Sequence, residues 1–332
     1  MQPLIRYEDF WNSPSDSSEV EIYSVLTMSR NLASFPFQGR METKEQNELF
    51  SICDNQISTV ASGRSFEYPA LEHRSLFAEQ SLFPGEETLF RKVLTTGQAS
   101  GIAAGGKSHL VLSHAFSDGK FYSAFNEIDT LDDRIGEKVE YAFSGKFGYL
   151  FENPADCGTG FSAKALLHLP ALSISNAREE VRTLCSEFDT QIVPFRKESL
   201  PLYILTANNR FGDSEQDLCA NIQGAISSLD RMEREARETH KSQRLAQLED
   251  LIWRSYGLLC NCRMISWEEE AEYLLNLRLG LILSVFPHFD FKTINTLIFE
   301  TSDPFLSCYS DDQGTDDTIL RADLIRRAMN TR

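Results

Sequence analysis

The pattern of apolar and polar positions predicts a first part that mixes strands and helices, followed by a second part that is almost wholly helical. Short apolar or β-branched runs indicate strands, and apolar residues that recur every three or four positions indicate helices. The predicted strands are residues 20–27, 109–112 and 202–206, and the predicted helices are residues 43–59, 86–93, 122–143 and 177–188.

From about Ser214 the apolar spacing stays helical as far as residue 283, and further helices are expected at residues 289–298 and 316–329. The highly charged stretch at residues 227–251 carries one apolar stripe, which is typical of a helix with a solvated face. Such a helix is also suited to linking two domains. The length of 332 residues fits one large domain and one smaller one.

Charge and cysteine content exclude several classes of function. The chain has 32 basic and 49 acidic side chains, a net charge of −17 that argues against a nucleic-acid surface and against binding to an anionic membrane. No apolar run is long enough to span a bilayer, and the first residues show no secretory signal. The seven scattered cysteines form no CxxC pair, so we expect reduced thiols, no metal site and a cytoplasmic location.

Several blocks of sequence carry a resemblance to a known family. The clearest is YAFSGKFGYLFENPADCGTGFSAKALLHLPAL at residues 141–172, with its FGYL, GTG and LHLP elements in order. Further blocks follow the same chain order at residues 29–37, 212–238, 248–257 and 320–326. Together they resemble the bacterial protein-arginine kinases, which are members of the phosphagen kinase superfamily, over nearly the whole chain.

The resemblance implies an α+β fold in which a large antiparallel sheet flanked by helices is followed by a helical C-terminal domain. It places the kinase-like domain at residues 1–238, where the HLPAL segment at residues 168–172 is expected to be a packing helix, and the C-terminal domain at residues 239–332. By the same resemblance, the expected partners are a second copy of the chain, a zinc-binding activator protein and components of the Clp protease system. Only the homodimer has support in the residues, through the apolar segment 274–286, and core burial explains that segment equally well.

Phosphoryl transfer from ATP to a guanidinium group needs dense positive charge around the phosphates, and arginine supplies it with a planar fork of donors. In the family, two such arginines lie on the first strand, at positions that are Val25 and Thr27 here. Arg30 is retained, either as a phosphate contact or as a structural ion pair. After the turn Gly158-Thr159-Gly160, the family arginine is replaced by Ser162. The expected nucleotide site is therefore vestigial.

The family also uses two adjacent carboxylates to orient the guanidinium group, one of them as a base. Residues 126–129 (Asn-Glu-Ile-Asp) look similar, but counting back without gaps from Tyr141 excludes them. That register puts the carboxylate pair on Gly106 and Lys107 and a neighbouring arginine on Val111. Because a lysine repels a guanidinium group, no catalytic residue of this motif is retained.

Two further family features are altered. The glycine-rich loop before the last strand is shortened to residues 194–200, where Arg196 either stands in for part of it or is a surface residue. The phosphoarginine pocket of the C-terminal domain retains Arg321, but its first arginine is Asp317, which should oppose a phosphate. We expect phosphoarginine binding to be weak or absent.

These losses predict a pseudokinase that acts as a regulatory or binding protein and needs no cofactor, since one transition-state arginine alone can be worth roughly 10³–10⁵ in rate. The alternative is a divergent active protein-arginine kinase. It would bind Mg-ATP through Arg30, Arg196 and the amides of residues 158–160, with His109 or Glu127 as base. A Glu127 that points into the cleft would favour this alternative. A nucleotide sensor that binds ATP without transferring phosphate is a third, disfavoured interpretation.

Overall fold

An eight-stranded antiparallel sheet forms the centre of the first domain. The protein is described by a computed structural model over residues 19–60, 64–67, 92–95, 100–117, 119–207, 212–309 and 316–330. In this sheet the strands are arranged β2-β3-β4-β5-β1-β8-β10-β9. Their bounds are β1 Glu21–Arg30, β2 Arg64–Glu67, β3 Lys92–Thr95, β4 Ser100–Ala104, β5 Leu110–Phe116, β8 Phe161–His168, β9 Thr190–Pro194 and β10 Leu202–Ala207; β6 Phe143–Ser144 and β7 Gly148–Tyr149 form a separate hairpin.

Helices flank this sheet and form most of the chain from Glu215 onward in the described ranges, so the fold is α+β. Their bounds are α1 Thr43–Ile52, α2 Phe121–Gly136, α3 Pro170–Ile174, α4 Arg178–Glu187, α5 Glu215–Asn261, α6 Trp267–Ile282, α7 Phe291–Glu300, α8 Asp303–Tyr309 and α9 Asp317–Asn330. Helix α5 has non-helical backbone angles at Arg244, which bend this long helix where it passes from one domain to the next. Within the described ranges, no helix combines the length and apolarity that crossing a membrane requires.

Two hydrophobic cores lie on opposite faces of the sheet. Because side chains alternate along a strand, Leu26 and Met28 of β1 face one core, which they form with α1 to α4 and the first half of α5. Tyr23 and Val25 face the other core, which continues into the helices of the C-terminal domain. The sheet is therefore packed on both faces, and its second face joins the two domains.

The β9–β10 hairpin makes a further contact between the domains. Phe195 meets the Trp267 ring edge to face, with ring centroids 6.3 Å apart, and the Arg196 guanidinium lies 4.4 Å from the centre of the same ring. Lys197 forms an ion pair of 3.2 Å with Glu268. The shortened loop thus packs on the start of α6.

Arg278 of α6 is the buried polar link between the domains. Its guanidinium donates to the Glu19 carbonyl oxygen at 2.9 Å and to the Nδ1 atom of His168 at 3.0 Å. It also donates to the Oδ1 atom of Asn295 at 3.3 Å. Burial, and then the charge of Arg237, lower the pKa of Arg278 to about 9. One side chain of the C-terminal domain therefore connects the start of β1 with the end of β8.

Most predicted elements are confirmed, and three need correction. The helices at residues 43–59, 177–188 and 214–283 are present, the first ending in a π-helical turn, Cys53–Ile57, and one further turn, Ser58–Val60. The helix predicted at 122–143 ends at Gly136. The LHLPAL run is a strand as far as His168, followed by the short helix α3. The helix predicted at 86–93 falls mostly outside the described residues, and its last two positions lie in β3. The boundary between the two domains, placed between residues 238 and 239, stays a prediction.

Replacing Trp267 tests the domain contact. Trp267 is 3% exposed and donates from Nε1 to the Ile298 carbonyl oxygen at 3.0 Å, so Trp267→Ala should lower the free energy of unfolding by about 3–5 kcal/mol. The control Tyr122→Ala removes an aromatic side chain of α2 that is 66% exposed and should cost about 1 kcal/mol or less. Urea denaturation followed by tryptophan-independent circular dichroism measures both. Equal losses would contradict the contact.

The His168 contact should make stability depend on pH. Burial, and then the charges of Arg278 and Arg237, hold the pKa of His168 well below its ordinary 6.5. Below that value the unfolded chain binds a proton that the folded protein does not, so the contribution of His168 is full above pH 6.5 and is lost as the pH falls. Below pH 6.5, His168→Asn should reduce the slope of the free energy of unfolding against pH by up to about 1.4 kcal/mol per pH unit, measured by urea denaturation at several pH values. Equal slopes of unfolding free energy against pH in the variant and the wild type would refute this role of His168.

Candidate functional site

The register of the central strands brings four of the sequence-predicted positions onto one face of the sheet. Thr27 lies directly opposite Ser113 of β5 and Ser162 of β8, and Val25 lies opposite Lys164. Residues directly opposite each other in an antiparallel pair share a face. Val25, Thr27 and Ser162 are therefore neighbours, and Val111, opposite Ser29, lies on the same face.

The remaining predicted positions meet at one end of this face. Gly106 and Lys107 lie in the hairpin between β4 and β5, next to the pairing of Arg30 with Leu110. The turn Gly158-Thr159-Gly160 leads into β8, and the Gly160 carbonyl oxygen accepts from the Ser29 N–H at 2.7 Å. The candidate site is thus contiguous, although its residues come from three segments of the chain.

The side chains on this face are mainly apolar or hydroxylated. Val25 and Thr27 are buried, at 0% and 2% exposure, and Val111 is 7% exposed. None of these three can supply a positive charge or a carboxylate. In the described part of the chain, no group of acidic, histidine or cysteine side chains is arranged to hold a metal ion.

Arg30 points to the opposite face of the sheet. Odd-numbered positions of β1 face the candidate site, whereas Arg30, like Leu26 and Met28, belongs to the even-numbered set that faces α2. The alternation of side chains along a strand was visible in the sequence and would have separated Arg30 from Val25 and Thr27. It was the signal that the sequence analysis left unused.

The guanidinium of Arg30 is occupied by internal partners. It donates to the Oδ2 atom of Asp132 from Nε at 2.9 Å and from Nη2 at 2.7 Å. Its Nη1 atom donates to the carbonyl oxygens of Ser29 and Thr159, each at 2.9 Å. The ring of Tyr149 lies 3.6 Å from the guanidinium carbon, an arrangement that favours a cation. Arg30 is 2% exposed and is a structural residue here.

Asp132 and Tyr141 complete this buried cluster. The Tyr141 hydroxyl donates to the Oδ1 atom of Asp132 at 2.9 Å, so the carboxylate of Asp132 is satisfied on both oxygens. Burial, and then the negative charge of Asp132, raise the pKa of Tyr141 and keep its phenol protonated. The phenol therefore remains a hydrogen-bond donor throughout the physiological range of pH.

The glycine turn packs against Arg30, which explains its composition without a bound phosphate. Gly160 has a φ of +61°, and a Cβ atom there would lie 2.6 Å from the Ser29 carbonyl oxygen and 3.0 Å from Nη1 of Arg30. Only glycine accepts both the conformation and the close approach. The turn is required for packing around the Arg30 cluster.

Neither candidate base is placed for catalysis. His109 is fully buried; its Nδ1 accepts from the Leu32 N–H and its Nε2 lies 2.9 Å from the Pro36 carbonyl oxygen, to which it donates. Burial lowers the pKa of His109, and both ring nitrogens are engaged. Glu127 is 64% exposed on α2 and lies 3.6 Å from the Nε2 atom of His114. It is exposed to solvent, and its contact lies on the α2 side of the sheet, opposite the candidate face.

The two other arginines considered in the sequence are also engaged. Arg196 is exposed, as a surface arginine would be, but its guanidinium stacks on Trp267. Arg321 is 1% exposed and donates to the Thr301 carbonyl oxygen at 2.8 Å, and it is paired with Asp303 and Glu270. Burial raises the pKa of Glu270 to about 8. Arg321 therefore stabilises the interior of the C-terminal domain.

Lys164 is a cation on the candidate face that the sequence analysis did not single out. It follows Ser162 by two positions on β8, lies opposite Val25 and Thr206, and is partly buried. Period-two alternation from Ser162 would have found it. It has an interaction partner in the folded chain.

Solved structures share this architecture. The duplicated taurocyamine kinase from Schistosoma mansoni superposes with a TM-score of 0.57 and 16% identity over 75% of this chain and 39% of that longer chain. Lombricine kinase superposes with a TM-score of 0.54 and 17% identity over 70% of this chain and 71% of the other. The fold is that of the phosphagen kinases.

Family models and relatives narrow this class. Residues 72–236 match the model of the ATP:guanido phosphotransferase C-terminal catalytic domain, and residues 245–332 match that of the protein-arginine kinase McsB C-terminal domain. The protein-arginine kinase of Bacillus velezensis is 27% identical over 88% of this chain and 85% of its own length. That of Bacillus subtilis is 26% identical over 94% and 91%. The chain belongs to the McsB family of protein-arginine kinases within the ATP:guanido phosphotransferases.

Replacing Arg30 separates a structural role from a ligand contact. Arg30→Ala leaves the buried carboxylate of Asp132 without its cation, so the free energy of unfolding should fall by about 3–5 kcal/mol. Arg134→Ala, an exposed arginine on the same helix as Asp132, is the matched control and should change it by about 0.5 kcal/mol or less. Urea denaturation measures both. An Arg30→Ala protein of unchanged stability would contradict the structural role.

Proposed function

We propose that this member of the family is a pseudokinase that acts as a regulatory or binding protein. The observation that carries the proposal is the state of Arg30, whose four hydrogen bonds go to Asp132, Ser29 and Thr159. These bonds take up four of the five N–H donors of the guanidinium, and the side chain is 2% exposed, so little of it is left to bind a nucleotide phosphate.

The composition of the candidate face supports the same proposal. Val25, Thr27 and Ser162 stand where the resemblance places phosphate arginines, and Gly106 and Lys107 stand where it places carboxylates. Without these groups, the negative charge that develops during phosphoryl transfer has little to stabilise it. Single losses of this kind are not additive, yet together they remove both the electrostatic and the positioning parts of catalysis.

A regulatory role requires a partner, and a second copy of the chain is the partner we propose first. The C-terminal domain exposes several large apolar side chains, including Trp253, Leu258 and Met264, at 43%, 43% and 59%. A zinc-binding activator and Clp components are further candidates by family resemblance. A cytoplasmic location belongs to this proposal and agrees with the free cysteines in the described part of the chain.

Mg-ATP binding is the direct test. We expect no saturable heat by calorimetry and no thermal shift at millimolar Mg-ATP, whereas a ligand at 100 times its dissociation constant would add about 2.7 kcal/mol of stability. The Bacillus subtilis protein-arginine kinase, assayed in parallel, serves as positive control. Saturable binding together with phosphoarginine formation on a protein substrate would overturn the proposal in favour of a divergent active kinase.

Lys164 decides how any observed binding should be interpreted. If Mg-ATP binds and Lys164→Ala abolishes the binding while leaving stability unchanged, this lysine has taken over part of the role of the missing arginines. Binding without phosphoarginine formation would make the chain a nucleotide sensor, which also contradicts a role independent of nucleotide. Lys146→Ala, an exposed lysine in the β6–β7 hairpin, is the matched control.

A further inference from the structure

A cavity lies away from the candidate site, between α3 and α4 on one side and β9 and β10 on the other. Its volume is about 70 Å³, which leaves room for one small apolar group, while the rest of a ligand would lie at the mouth that opens to solvent. Neither Arg30, the glycine turn nor the face that carries Thr27 contributes to it. Its function is therefore separate from that of the kinase-like site.

The floor of the cavity is apolar with one polar pair. Leu172, Val181 and Ile192 line it, and the first two are at most 6% exposed. Ser173 donates to the Leu169 carbonyl oxygen at 2.8 Å, so the Tyr203 hydroxyl, 2.9 Å away, donates to Ser173. Because this pair is satisfied internally, the floor is suited to an apolar group of a ligand.

The mouth carries charges of both signs. Arg178 and Glu198 face each other there, with Nη1 and Oε2 3.6 Å apart and the side chains 55% and 78% exposed. Arg182 lines the same mouth and is held by Glu179 at 2.8 Å, with exposures of 62% and 82%. Ion pairs this exposed contribute little stability, so a ligand can open them at small cost.

We propose that this cavity binds an α-amino acid with an apolar side chain. Its carboxylate would pair with Arg178 and Arg182, its ammonium group with Glu198, and its side chain would occupy the floor at Val181. An α-amino acid carries both charges on one carbon atom, which matches a cation and an anion that stand side by side at the mouth. A ligand with a single charge would satisfy one of them and leave the other unpaired.

The overall charge of the protein strengthens the choice of a zwitterion. A simple carboxylate would approach a chain of net charge −17, with Glu179 and Glu198 at the mouth itself. A simple amine would meet Arg178 and Arg182. A zwitterion has no net charge, so neither the acidic protein nor the two arginines at the mouth repel it as a whole.

Calorimetric titration of the full chain with L-phenylalanine and L-leucine tests the proposal. Both should bind saturably at concentrations up to about 10 mM. The single-charge analogues 3-phenylpropionate and 2-phenylethylamine should bind at least about tenfold more weakly than L-phenylalanine, since each loses one charge-assisted contact. No saturable binding of either amino acid, or equal binding of an analogue, would overturn the assignment.

Charge-neutral variants provide the internal controls. Arg178→Gln should weaken L-phenylalanine about tenfold but not weaken 2-phenylethylamine, which loses a repelling charge, whereas Glu198→Gln should weaken both but not 3-phenylpropionate. Arg254→Gln, at an exposed arginine paired with Asp250 at 2.7 Å on α5, should change no affinity. Each replaced side chain is exposed, so folding is preserved. Binding that is the same in all three variants would place the amino acid elsewhere and refute the proposal.

Discussion

The buried pairing of Arg30 with Asp132 is the interaction on which the candidate site depends. It ties the end of β1 to α2, and through the Thr159 carbonyl oxygen it holds the glycine turn against both. A buried cation is stable only when its donors are satisfied, and here carbonyl oxygens, a carboxylate and the Tyr149 ring do so. The geometry of the turn is thus explained by packing, and a nucleotide is not needed to account for it.

The opposite face of the sheet has become part of the junction between domains. Val25 shares a core with the C-terminal helices, and the shortened β9–β10 hairpin packs on Trp267. Arg278 adds a buried polar link through His168. The segments that resemble parts of a phosphoryl-transfer site therefore contribute here to the contact between the two domains.

The sequence predicted the long helices because amphipathic periodicity over ten or more residues is a strong signal, and its resemblance to a known family implied the α+β class. It failed where the signal was short or misleading. Val139 and Tyr141 continue the helical spacing of α2 beyond Gly136, but the chain has already left the helix. In the LHLPAL run, pairing with β1 and β10, which the local pattern does not reveal, keeps the chain extended as far as His168, and only the part from Pro170 onward is helical.

The sequence by itself determined the family and the order of the segments, because these follow from residue identity and spacing, and it predicted that arginines and carboxylates are absent at the matched positions. The tertiary structure decided which of the retained groups are free to act. Arg30, His109 and Arg321 have the right chemistry, but each is committed to buried partners far away in the chain. It also created the cavity at Val181 and Ile192, since two helices and a hairpin must pack together before a pocket exists. Whether a side chain is free to bind a ligand, and whether a cavity exists, depend on packing between segments that are distant in the sequence.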